Sequence, residues 1–412
     1  MASRSQETTL ARPGRDDAVD ASRFFSRVGY VALAIGSPIA VVIHPLALFI
    51  VFPIGVAMIV AAALLEGKPG LLGRALRAFS RPTFLALVAG LGWAALSILW
   101  TPYPVSALQH TLKLGLLIAA TLLAVAAPRD NARATDLYMF PIGVVLGMIA
   151  MAAKALAGVG GPAPADGGVA IGGVALAVLL FPALGGLTAR GRNGYARILL
   201  ILALAFAYLA SYPPLTIALF VGYLAMSFAI SDLRRTAHEL AWGAAALILL
   251  SPLIPAMAPT VASWVFGVKL ANLPPPYAQL SVAADVFTHD KFRLFTGHGF
   301  ATVARGVRDF ILPPHTPRSL AFTVWYELGV IGAVIAAVGV WSGFQELDKA
   351  PPRLAPFMGA GFAALVAIAF TDVDFDDMTA LTLIAVAVIS TDVAARSQYR
   401  TTRPSAASLA NL

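Results

Sequence analysis

Apolar stretches of roughly 20 residues, nearly free of charge, recur from residue 28 to residue 394 of this chain. Each approaches the length a helix needs to cross the roughly 30 Å hydrocarbon core of a bilayer. In lipid the backbone must satisfy its own hydrogen bonds, so such a chain folds as helices. Twelve candidate spans are expected, near 28–44, 46–65, 82–100, 105–127, 135–157, 168–188, 198–211, 213–230, 240–258, 320–342, 355–371 and 378–394. Only 12% of the residues are charged, about half the share in soluble domains. The expected fold is therefore all-α, a polytopic helical bundle of about twelve spans filling 28–395. Residues 1–27 read as a disordered cytoplasmic tail, too long and acidic for a signal peptide, before an uncleaved first anchor. Residues 396–412 read as a second solvated tail. The chain contains no cysteine, which rules out disulfides, thiolate metal sites and cysteine nucleophiles.

The basic residues report orientation. With both termini inside, Lys and Arg fall in every inside segment, for example Arg74, Arg77 and Arg81, or Arg190, Arg192 and Arg197. Lys113 and Lys154 lie in spans. The other six (Lys269, Lys291, Arg293, Arg305, Arg308 and Arg318) share one outside loop at 259–319, inserted between spans nine and ten. The net charge of +8 is thus a topology signal, and nucleic acid is not an expected partner. An even span count closes this pattern.

That loop is the one non-membrane segment large enough to fold. Beyond Pro274-Pro275-Pro276 it carries an amphipathic run at 277–295 and a second at 301–310, ended by Pro313-Pro314. His289, His298 and His315 lie in it, with Asp285, Asp290 and Asp309 as partial counter-charges. Such a cluster suits a reaction on a lipid-linked diphosphate, where cations hold the phosphates and stabilise the leaving charge. The competing reading is a solvated loop touching headgroups. The histidines lack i, i+4 spacing and paired carboxylates, so no metal is expected. Outside the loop, Lys154 is expected to snorkel, and His44-Pro45 to form a turn. Asp372, Asp374, Asp376 and Asp377 crowd the last outside turn.

Three motifs carry a resemblance. Thr316-Pro317-Arg318-Ser319 leads into Trp325, Glu327-Leu328-Gly329 and Gly332; Gly297-His298-Gly299-Phe300 precedes it; Trp93, Ser97 and Trp100-Thr101-Pro102 lie far upstream. Together they resemble the O-antigen ligase and polymerase superfamily, over nearly the whole chain, with the specific part at 297–332. The resemblance implies a GT-C-like glycosyltransferase of the bacterial inner membrane, multi-pass, with a periplasmic active face. Its donor would be an undecaprenyl-diphosphate-linked glycan and its acceptor a sugar hydroxyl on lipid A-core or another glycan. No cofactor is implied, and membrane lipids are the surroundings.

The family's motif histidine, its usual general base, aligns to Arg318 here. Its two diphosphate-holding arginines align near Tyr212 and Gln279. A guanidinium stays charged and is no base at ordinary pH. Three readings remain. In the first, His315 is the base with Arg318, Arg293, Arg305 and Arg308 as cations around the diphosphate; in the second, displacement needs little base; in the third, the chain is a catalytically degenerate member serving binding or assembly in envelope polysaccharide biogenesis. A transporter is the least favoured reading. Glu327, Gly297 and Gly299 are expected to support the site, Glu327 by fixing the loop to the tenth span.

Overall fold

A computed structural model describes residues 13–66, 71–127, 136–157, 168–210, 212–269, 272, 277–289, 292–371 and 378–397. Every regular element among them is a helix. Among the described residues nine helices are long and apolar enough to cross a membrane, and a bent pair, Leu233–Leu250 with Leu253–Val265, raises this to ten. Two shorter apolar helices, Asn193–Leu209 and Ala355–Ala369, fall on the remaining stretches expected to span. The chain is a multi-pass membrane protein. The Asp372 to Asp377 turn lies outside the described residues.

Three local departures have physical causes. The first helix starts at Pro13, so part of the segment read as a tail is helical. It is tied down at Ser22, whose hydroxyl donates to Ala62 O at 2.9 Å and lies 3.2 Å from Glu66 Oε1. Lys154 is expected to snorkel, yet its ammonium donates to Val42 O at 2.8 Å and Ile43 O at 3.3 Å. It thereby caps the carbonyl end of Ser37–Ile43, where a cation is favoured. The third departure is the ninth stretch, expected to be one span, which bends by 69°. Pro252 has no N–H for Ile248 O, four residues before it, so the ladder fails there. Trp325 Nε1 takes up that carbonyl at 2.8 Å. Trp325→Phe is expected to destabilise the protein by about 1 kcal/mol, since the Ser251 hydroxyl still donates to Ile248 O at 3.0 Å. Thermal denaturation of the purified protein in nanodiscs measures it.

The core forms around Gly168–Ala189, whose most apolar window is 94% buried. A helix apolar on all sides belongs at the centre of a bundle. It packs on Met139–Ala157, Asn193–Leu209, Ala355–Ala369 and Met378–Ser397. Small residues let these helices close up where lipid offers no hydrophobic drive between them. At Gly143 a Cβ would meet Ala34 O at 1.9 Å, so only glycine permits that crossing.

In the long loop, Leu253–Phe266 ends at Gly267, which adopts the left-handed conformation (φ 66°). Helices Tyr277–His289, Arg293–Thr296 and Thr302–Arg308 follow. Of the two amphipathic runs, the first is helical over 277–289 and 293–296 and the second over 302–308. Leu320–Gln345 then begins at Ser319, whose hydroxyl accepts from Phe322 N–H at 3.3 Å.

Candidate functional site

The helix Leu320–Gln345 is broken at Gly329, where φ is 66° and ψ is −162°. A break inside a membrane-spanning helix leaves carbonyls that protein groups must satisfy. Here three successive ones are taken up. Tyr326 O accepts the His298 N–H and Glu327 O the Gly299 N–H, each at 2.9 Å. Leu328 O accepts Trp93 Nε1–H, also at 2.9 Å.

The Glu327 side chain closes the joint from the other direction. It is 1% exposed, and its two carboxylate oxygens accept the N–H groups of Ala301 and Val303, each at 2.9 Å. These N–H groups stand at the start of Thr302–Arg308, the end of a helix that lacks intrahelical acceptors. The upstream motif completes the contact. Ser97 Oγ accepts Phe300 N–H at 3.0 Å, and Thr101 Oγ1 donates to Phe300 O at 3.1 Å. Gly297 and Gly299, both at positive φ, lie so close to Glu327 and Thr101 that a Cβ would come within 2.1 and 2.5 Å of them. The three motif segments, far apart in sequence, form one interlocked joint.

Beside this joint lies a small, partly open cleft of about 10 Å³, lined by Val286, Phe287, Arg293, Leu294, His298, Trp325 and Tyr326. That is roughly the room of one water molecule, so a sugar or phosphate enters only if the lining side chains move apart. The His298 ring stacks on Tyr326 with centroids 4.0 Å apart and planes 4° from parallel. Tyr326 stacks in turn on Phe322. His298 Nδ1 lies 3.1 Å from Tyr326 O. A carbonyl only accepts, so Nδ1 carries the proton and the neutral ring has its lone pair on Nε2.

The candidate residues are distributed around this centre. Arg293 lines the cleft. Arg305 and Arg308 sit in the last turn of Thr302–Arg308, the first half-buried and the second exposed. Arg305 and Asp309 both act on Tyr103, in the turn before the helix Pro104–Ala126. Burial, then Asp309, push the Tyr103 phenol up, while Arg305 pulls it down. Arg318 is half-buried two residues before Leu320–Gln345, and His315 is exposed. Neither lines the cleft. Gln279 is half-buried in Tyr277–His289. Tyr212 packs against the central core, its ring filling the space a Cβ on Gly173 would take. His110, on the helix Pro104–Ala126, meets the Phe300 ring edge-on with centroids 6.5 Å apart.

His298, which the sequence placed in the loop's histidine cluster without a role of its own, lines this cleft. It occupies the variable position of Gly297-His298-Gly299-Phe300, and its partner Tyr326 is 28 residues away. No family model matches the chain, and no curated protein or solved structure does.

Proposed function

We propose that this chain is a membrane glycosyltransferase of the O-antigen ligase and polymerase type, GT-C-like in fold. It moves a glycan from an undecaprenyl-diphosphate donor to a sugar hydroxyl at the periplasmic face of a bacterial inner membrane. The observation that supports this reading best is the convergence of the three motif segments on one joint, next to a cleft holding Arg293 and His298. In this reading the acceptor hydroxyl attacks the anomeric carbon, the bond from that carbon to the diphosphate oxygen breaks, and the lipid diphosphate leaves. Arginine stabilises the departing charge. The hydroxyl proton goes to a histidine near neutral pH. His315 was the sequence candidate, but His298 has the better setting, with its tautomer set by Tyr326 O and an arginine in the same cleft.

The alternative reading is a catalytically degenerate relative that binds or assembles envelope polysaccharide, favoured by Arg318 at the motif histidine's place. The deciding assay follows glycan transfer from a polyprenyl-diphosphate donor by the full-length protein in liposomes. His298→Ala is expected to lower the rate by about a hundredfold, with His315→Ala near the unmodified protein. The reverse order assigns the base to His315. No transfer by the unmodified protein, across lipid-A-type and glycan acceptors, would overturn the enzyme reading.

A further inference from the structure

The turn after Thr302–Arg308 is built to hold two large apolar side chains outward. Phe310 is 86% exposed and Ile311 70%. Phe310 also stands at φ 58°, a conformation an aromatic residue adopts only under strain. The strain is sustained from inside. Gly306 O accepts the N–H groups of Ile311 and Leu312 at 2.8 and 2.9 Å, and Leu312 is buried against Gly306, where a Cβ would be 3.0 Å from it. Arg305 and Arg308 lie on the adjoining helical turn.

The position of this tip is set by its neighbours. Thr101, in the turn that leads into the candidate span Pro104–Ala126, donates its hydroxyl to Phe300 O at 3.1 Å. Thr302 Oγ1 lies 3.4 Å from Thr101 Oγ1, just past the candidate span Pro82–Leu99. Thr302–Arg308 therefore rests on the ends of two spans, at the edge of the hydrocarbon layer. The flanking residues Leu99 and Val105 are themselves 81% and 69% exposed, as lipid-facing side chains are. We propose that Phe310 and Ile311 insert into the adjacent leaflet, continuing the lipid-facing surface, while Arg305 and Arg308 meet anionic headgroups. Apolar side chains below and arginines above are the pattern of an interfacial anchor. The anchor holds the long loop at headgroup level. This inference rests on membrane embedding alone and is independent of the transferase reading.

The absence of native cysteine makes the test direct. Full-length Phe310→Cys and Ile311→Cys each keep one of the two apolar residues. Each is labelled with an environment-sensitive fluorophore in nanodiscs containing phosphatidylglycerol and lipid brominated near the headgroup end of its chains. Leu99→Cys serves as the lipid-facing control and His315→Cys as the exposed one. The expected result is blue-shifted emission at both tip positions, with quenching comparable to Leu99→Cys and several-fold above His315→Cys. Emission and quenching like those of His315→Cys would overturn the proposal. So would blue-shifted emission without quenching, which places the tip against protein.

Discussion

Replacing Glu327 by alanine is expected to destabilise the protein by about 3–6 kcal/mol, because it removes two charge-assisted hydrogen bonds of about 1.5–3 kcal/mol each. The carboxylate accepts from Ala301 and Val303, and these buried N–H groups would be left without it in a site water does not reach. Glu327→Gln keeps the volume but offers one oxygen, with an amide NH₂ turned toward the second donor. Its expected cost is about half, roughly 1.5–3 kcal/mol. Glu327→Asp is a methylene short of bridging both donors. Apparent melting temperatures in detergent should fall in the order unmodified, Gln, Ala, with faster proteolysis of the 292–319 segment. A Glu327→Ala protein as stable as the unmodified one, yet inactive, would reassign this residue from joint to chemistry.

Gly329→Ala is expected to cost about 2–6 kcal/mol, the sum of backbone strain and overpacking of about 1–3 kcal/mol each. The backbone there, φ 66° and ψ −162°, belongs to a region essentially limited to glycine. The new methyl would lie 2.5 Å from Phe295 O and 2.6 Å from Gly297 N, both backbone atoms that cannot swing away. The protein must then either straighten the helix and release the loop or fail to accumulate. Gly92→Ala is the matched control, since nothing lies within 4 Å of its Cβ position and it sits inside Pro82–Ser97. There alanine should add about 0.5–1 kcal/mol of helix stability. Equal expression and melting behaviour of the two alanine variants would refute the role given to Gly329.

The helices were legible because lipid leaves the backbone few options, so apolar length alone locates them. Pro252 was legible as a proline but not as a 69° bend, since prolines are tolerated in spans when a neighbour satisfies the freed carbonyl. That neighbour, Trp325, is 77 residues away. The helical segment after Pro13 was missed because a distant tertiary partner holds it, the Ala62 carbonyl that accepts the Ser22 hydroxyl. Within the site, a glutamate directly before a Leu-Gly pair inside an apolar span could be read as a structural fixture. The cleft could not, because it depends on which face of the loop His298 presents to Tyr326. Periodicity and charge do not encode that face.

The bond between Trp93 and Leu328 joins residues 235 apart, and the Ser97 to Phe300 bond spans 203. During synthesis at roughly 5–20 residues per second, the third span waits on the order of ten to fifty seconds for these partners. Ser97 has an interim partner on its own helix, donating to Ala94 O at 2.8 Å, while the Trp93 indole has its acceptor only after residue 328 emerges. The joint is therefore a late checkpoint of biogenesis: a chain truncated before residue 328 holds most of its membrane segments and cannot lock them.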